Sequence, residues 1–248
     1  MPIVNTDAKA LEWATYLFLS QESIGIPEWN NVLLYPDKYD DVHTTNQKQF
    51  NLPSRLIAKK LLFRGIYADP DKAAFAFSRD PEFTPVSTSQ KYWQFVLDNF
   101  FAKYKDLKKT HISYIQEATT TGKIISPFGR EYEYKPKEKH GELLWSIPDI
   151  LNWPNQGLGH DVMKIARIVT LHGKRKRNIQ GDLISTVHDS IVWDAYTKDI
   201  PEIAKLMKDV FTHLPFYIEK YFGVKWNIAM ACETSYGPNM KDLIEIKI

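Results

Sequence analysis

Three short patterns follow one another along the chain, and the two that carry aspartates stand towards its opposite ends. Asp7 comes at the end of a strand-like stretch, residues 2 to 6, just before an apolar-periodic run (Leu11, Ala14, Tyr16, Leu17, Leu19) that predicts a helix. Asp189 falls in the turn of the segment 182–195, where alternation predicts strand, turn, strand. Between them, Arg55, Lys59, Phe63 and Tyr67 recur four apart. A strand end and a hairpin turn are places from which short side chains can converge on one point. A fold that brings them together treats the long middle stretch as an insertion. Each aspartate alone is ordinary, because aspartate at a strand end commonly caps or turns the chain. Their order and joint occurrence carry the weight.

A chain of 248 residues with 44% hydrophobic side chains can bury a sizeable core, as one large domain or two interleaved ones. The single cysteine, Cys232, excludes an internal disulfide and any cysteine-based zinc cluster. No apolar run approaches the ~20 residues that cross a bilayer, and the start lacks a basic segment followed by an apolar one, so the expected setting is soluble and cytoplasmic, not secreted. A net charge of +2 argues little about partners. Local clusters say more: Lys103, Lys105, Lys108 and Lys109; Lys135, Lys137 and Lys139; and the unbroken run Lys174-Arg175-Lys176-Arg177. Each could face phosphates, but for any one of them a solvated face or loop is the favoured reading.

Residues 21 to 46, rich in Asn, Pro and Asp, read as mostly irregular. Ser54 after Pro53 is an N-cap candidate for a helix whose apolar face is Leu56, Ala58, Leu61, Leu62 and Ile66, ending near Asp69-Pro70-Asp71. Apolar residues three or four apart predict one helix over 90–121, ended by Thr121-Gly122. A hairpin is predicted over 124–134, a helix over 157–172, another from Pro201 to about Tyr221, and a last strand from Trp226 to Cys232.

Transfer of a phosphoryl group to a sugar hydroxyl needs the nucleophile deprotonated and the charged transition state neutralised, which two Mg²⁺ ions roughly 4 Å apart can do when carboxylates hold them. On a helix, residues four apart drift by roughly 40°, so Arg55, Lys59, Phe63 and Tyr67 stay within about 120° of one face over about 18 Å. Cations near the helix start suit a triphosphate, and aromatic rings further along suit sugar and base. An amphipathic helix with a charged flank is the plainer reading of the same spacing.

The three patterns, in order and spacing, resemble motifs A, B and C of family A DNA polymerases, the group of bacterial DNA polymerase I and many phage replicases. The resemblance runs from Asp7 to about residue 240. It implies an α+β fold: a right-hand palm of antiparallel sheet and helices (1–20 and 148–248) with inserted, mostly helical fingers (21–147), thumb and exonuclease absent. The implied function is template-directed DNA synthesis. Asp7, Asp189 and the main-chain carbonyl of Ala8 would hold two Mg²⁺ ions, with Asp7, Asp189 and Lys59 catalytic. Glu12 would block a 2′-hydroxyl, and Arg55, Lys59, Phe63 and Tyr67 would meet the nucleotide. Asn152, Gln156 and His188 would meet primer-template DNA, and Asp41-Val42-His43 resembles the segment that precedes the nucleotide helix.

Three positions depart from the family pattern: Ala68 for a glycine after Tyr67, Pro148 for an arginine before Asn152, and Ser190 for a glutamate after Asp189. Implied partners are primer-template DNA, dNTP and a second polypeptide that supplies thumb and N-terminal palm, with no membrane. The alternatives are a single-subunit RNA polymerase-like enzyme, suggested by Ser190 and opposed by Glu12, and a non-catalytic nucleic-acid-binding or assembly subunit.

Overall fold

Alternation in the first strand sets the architecture. The structure, a computed structural model, describes residues 1–67, 69 and 72–247. In β1 (Ile3–Ala8), Val4, Thr6 and Ala8 are buried, so the period of two turns Ile3, Asn5 and Asp7 to the opposite face. The chain divides into two compact units, Met1–Thr15 with Gly157–Ile248, and Tyr16–Gln156.

The first unit is built on an antiparallel sheet. Among the described residues its order is β6 (Asp182–Val187), β7 (Ser190–Asp194), β1, β8 (Cys232–Gly237) and β9 (Ile244–Glu245). The buried Thr6 and Thr234 hydroxyls meet at 3.0 Å between β1 and β8, which satisfies two polar groups inside the sheet. Helix α9 (Ile200–Thr212) buries Ile203, Met207, Val210 and Phe211, a single stripe at helical spacing. Gly173 belongs to α8 (Ile147–Lys176); a Cβ there would come within 2.3 Å of Leu206 Cδ1, so α8 and α9 approach at a glycine.

The second unit is mostly helical: α2 (Gly25–Leu34), α3 (Val42–Gln49), α4 (Arg55–Gly65), α5 (Ala73–Phe77), α6 (Gln90–Lys103) and α7 (Lys105–Thr121). Two hairpins follow, β2 (Lys123–Ile125) with β3 (Glu131–Glu133), and β4 (Lys137–Lys139) with β5 (Glu142–Leu144). Ala118, Ile124, Tyr134 and Ile150 form a small core beneath the first hairpin. No helix among the described residues is long and apolar enough to cross a membrane.

Several expectations need correction. Residues 21–46 are not mostly irregular: α2 anchors itself through buried Trp29, and α3 is capped by Asp41, which accepts from the amides of His43 and Thr44. The expected helix over 90–121 is two, broken at Tyr104 (φ −99°, ψ 63°). The break has partners: the Tyr104 hydroxyl donates to Asn46 Oδ1 at 2.9 Å, and fully buried Glu22 accepts the amides of Asp106 and Leu107. Leu56 is 58% exposed and so leaves the apolar face assigned to it.

Helix α8 starts ten residues earlier than expected (Ile147 against Gly157), because Pro148 in its first turn needs no amide donor. The final helix likewise splits at His213 into α9 and α10 (Leu214–Phe222), with Pro215 in the first turn of α10. The last long strand begins at Cys232 instead of ending there. The Ser54 helix stops at Gly65, short of the expected Asp69-Pro70-Asp71, with Ile66 as its C-cap, so Tyr67 lies in the turn beyond it and not on the helix. Ala68, Pro70 and Asp71 lie outside the described residues.

Candidate active site

The first cluster arises from register. Asp7 pairs across β1 and β7 with Ser190 and across β1 and β8 with Glu233. The β6–β7 turn holds His188 and Asp189, and His188 takes a left-handed φ of 52° at its exposed tip. Histidine tolerates that region better than branched residues do, and a tight antiparallel hairpin favours it. The Ala8 amide donates to the Asp189 carbonyl at 2.9 Å, which ties the turn to β1. Aspartates from the two ends of the chain therefore stand beside each other through backbone pairing alone.

The Ser190 hydroxyl donates to Asp7 Oδ2 at 2.8 Å. The Asp7 carboxyl is nonetheless held above its ordinary pKa of 3.8, first by partial desolvation, which outweighs the Ser190 bond, and then by the negative charges of Asp189 and Glu233. Lys9 offsets part of that charge through a 2.9 Å ion pair with Glu233. Burial also pushes the Cys232 thiol up to about 12, so it stays neutral beside the cluster. Glu12 lies in the first turn of α1 (Leu11–Ser20), half-buried.

Among the described residues, no three His, Cys, Asp or Glu side chains group tightly enough to hold a metal by themselves. Two aspartates and a carbonyl are nonetheless a donor set that suits Mg²⁺, a cation that keeps waters and takes phosphate oxygens as further ligands. The charge crowding that raises Asp7 is what a cation would relieve.

The second cluster is held by side chains. On α4, Ser54 Oγ accepts the Ile57 amide at 3.2 Å, as an N-cap should. Arg55 does not project alone: its Nε and Nη2 donate to the two oxygens of Asp41 at 3.1 and 3.0 Å. Partial burial would raise the Asp41 carboxyl, but the Arg55 and Thr44 bonds prevail and hold it at about 2. One carboxylate thus caps α3 and clamps the start of α4.

Lys59 is exposed and makes no ion pair among the described residues. Phe63 sets its ring 5.9 Å from that of His43. Burial lowers the His43 pKa to about 4 against the pull of Asp41, with Arg55 and Lys59 adding to the lowering. A neutral imidazole therefore lies in the field of two cations.

The hydroxyl of half-buried Tyr67 accepts from Asn155 Nδ2 at 2.6 Å and, weakly, from Gln156 Nε2 at 3.5 Å, while its ring meets Tyr16 edge-on at 6.1 Å. Asn152 and Gln156 sit one turn apart on α8, with Gln156 exposed. Sequence reasoning missed Asn155 and the Asp41 clamp. Asn155 carries no local signal, since its partner lies 88 positions away. The four-residue spacing singled out Arg55 without revealing that Asp41 holds it.

Comparison with known proteins gives a family. The model of DNA polymerase family A matches residues 35–242. DNA polymerase I of Caldicellulosiruptor bescii is 23% identical over 232 residues, 90% of this chain and 26% of that protein. The DNA polymerase of Bacillus phage SP01 is 24% identical over 205 residues, 78% of this chain and 21% of the other. DNA polymerase I of Aquifex aeolicus is 21% identical over 73% of this chain and 31% of its own length, so the chain spans a third or less of these relatives. In fold, the chain superposes on the POL domain of Pol1 from M. smegmatis, in complex with DNA primer-template and dNTP. That match has a TM-score of 0.74 and 15% identity, and covers 96% of this chain and 40% of that one.

Proposed function

The chain belongs to DNA polymerase family A, and we propose on that premise that it carries the nucleotidyl-transfer site of a template-directed DNA polymerase. The observation that carries the proposal is the pairing of Asp7 with Ser190, which sets Asp7 beside Asp189. In this reading residues 1–20 and 148–248 are palm and 21–147 fingers, and the division of the chain into a sheet-based and a helical unit supports it.

Asp7, Asp189 and the Ala8 carbonyl would hold two Mg²⁺ ions, which when bound activate a primer hydroxyl and neutralise charge on the transferred phosphate. The residues of the chain supply the rest. Ser190 orients the Asp7 carboxylate through its 2.8 Å bond. Asp41 presets the Arg55 guanidinium, and Lys59 follows one turn later, so two cations line the start of α4 for a triphosphate. Phe63 continues that face, and Tyr67 follows in the turn just past the helix, towards sugar and base. Asn155 holds the Tyr67 hydroxyl and so limits where the ring can go. Glu12 excludes a 2′-hydroxyl by filling space beside it. Asn152, Gln156 and His188 contact primer-template DNA, where minor-groove acceptors are similar for every base pair and report shape more than sequence.

The test is primer extension with purified chain, Mg²⁺ and dNTP on a primed template. Extension by wild type, abolished in Asp7→Asn with duplex binding retained, supports the assignment. Turnover by Asp7→Asn at the wild-type rate removes it. Equal use of rNTP and dNTP by wild type would instead favour the RNA polymerase-like reading.

A further inference from the structure

The basic run Lys174–Arg177 has no part in the chemistry above, and the structure splits it in two. Lys174 pairs with Asp182 at 2.6 Å, and Arg177 pairs with Asp209 at 2.5 Å. Those two cations brace the end of α8 against β6 and α9. Arg175 and Lys176 make no ion pair among the described residues, and both border a groove of about 930 Å³ formed with α9 and α10.

The same groove is lined by two tyrosines of α10. Tyr217 and Tyr221 present near-parallel rings, 14° apart with centroids at 6.3 Å, and Tyr221 is 52% exposed. Lys220 sits 5.8 Å from the Tyr221 ring. His172 and His213 complete the polar lining; His213 Nδ1 donates to the Asp209 carbonyl at 2.7 Å, which leaves Nε2 for a ligand. The only acidic side chain on the lining, Asp209, is already neutralised by Arg177.

Cations in the last turn of a helix are favoured by its dipole whatever they face. The dipole does not explain a stacked tyrosine pair lining the same groove. Cations and flat aromatic rings on one groove suit a ligand that carries repeated negative charge and unpaired planar groups. That ligand is a single nucleic-acid strand, whose phosphates meet Arg175 and Lys176 while its bases stack on the tyrosines. A duplex, its bases already stacked, has nothing to offer the rings. We propose that this groove binds single-stranded nucleic acid, as a second site that shares no residue with the Asp7–Asp189 cluster.

The experiment measures fluorescence anisotropy of a labelled oligodeoxythymidine of roughly 15 nucleotides, long enough for one stacking groove, on the intact chain without dNTP. It is run alone and with saturating unlabelled blunt-ended DNA duplex, which carries no unpaired strand, and an oligouridine arm distinguishes DNA from RNA. Binding should survive the duplex. Arg175→Ala/Lys176→Ala should weaken it about 10-fold and flatten the salt slope by roughly 1.4, the share of two phosphates on a single strand.

Tyr221→Ala should weaken binding about 10-fold with the salt slope unchanged, whereas Tyr221→Phe keeps it, because stacking needs the ring and not the hydroxyl. All of these variants lie on the surface and should extend a primed duplex as wild type does. Complete competition by duplex, wild-type affinity in Tyr221→Ala, or equally tight binding of an abasic strand would each overturn the proposal. Since no dNTP is present, the outcome is independent of whether the carboxylate cluster is catalytic.

Discussion

The carboxylate cluster and the α4 cluster are assembled by different physics. Asp7 and Asp189 are placed by β-sheet register, in which each pairing is repeated by the ladder around it. Arg55 and Tyr67 are held by side-chain bonds to a few residues, Asp41 for the one, Asn155 and Gln156 for the other. A register-built site keeps its geometry when a functional side chain is replaced, because the backbone bonds remain. A clamped site loses geometry when a neighbour that touches no substrate is changed. The contrast teaches where to look for indirect effects: around the helix, not around the sheet.

The largest expected effect breaks chemistry without breaking register. Asp189→Asn should reduce primer extension by ~10³-fold or more, since several kcal/mol of charge stabilisation rest on that ligand set. Its thermal midpoint should stay within ~2 °C of wild type, because the change removes no core contact. A matching loss of stability would show that the site depends on the side chain and not on the ladder.

Next comes the clamp. Asp41→Ala should raise the KM for dNTP by about 10-fold, with kcat less affected, and remove ~1 kcal/mol of stability through the lost α3 cap. Combined with Arg55→Ala, the kinetic losses should be clearly less than additive. Full additivity would mean that Asp41 and Arg55 do not act as one unit.

In the proposed assignment Glu12 governs sugar choice and not catalysis. Glu12→Ala should raise rNTP use relative to dNTP by ~10-fold, as expected when an excluding group is removed instead of an attractive one. Selectivity equal to wild type in a competition assay would leave Glu12 as a helix-surface residue.

The smallest effect concerns acid. Burial holds His43 and His111 near 4, below the ordinary 6.5. Above pH 6.5 both states are neutral and stability does not respond to these groups. Between 6.5 and 4 the unfolded chain takes up protons that the folded helices refuse, so stability falls as pH falls, and below 4 this contribution levels off. Thermal midpoints across that range should drop in wild type and drop less in His111→Gln. A wild-type midpoint that does not change over the range would contradict the burial of these rings.

Local signals served some elements and failed others for identifiable reasons. Ser54 was legible as a cap because an N-cap needs only the residues just after it, and Gly122, with φ of 75°, was legible as a helix stop because few other residues take that conformation. Tyr104 was illegible as a break, since its apolar spacing continues the helix on both sides while distant Asn46 and Glu22 hold the chain apart. Helix α2 was obscured by Asn and Pro, and buried Trp29 outweighs those weak propensities.

What the amino-acid order determined by itself was the set of chemical groups and the faces they share: paired aspartates at extended segments, and Arg55, Lys59 and Phe63 on one helix with Tyr67 two residues past its end, because periods of 2 and 3.6 are properties of the backbone. What only the tertiary structure decided was who stands next to whom. Ser190 bonds Asp7, Asp41 holds Arg55, Asn155 holds Tyr67, and Arg175 and Lys176 line a groove with Tyr221 and make no ion pair among the described residues, while Lys174 and Arg177 are used up in ion pairs. Those partnerships join residues far apart in the chain, and no local period encodes them. They exist because closing the sheet and packing the helices leave each polar group only the partners within reach.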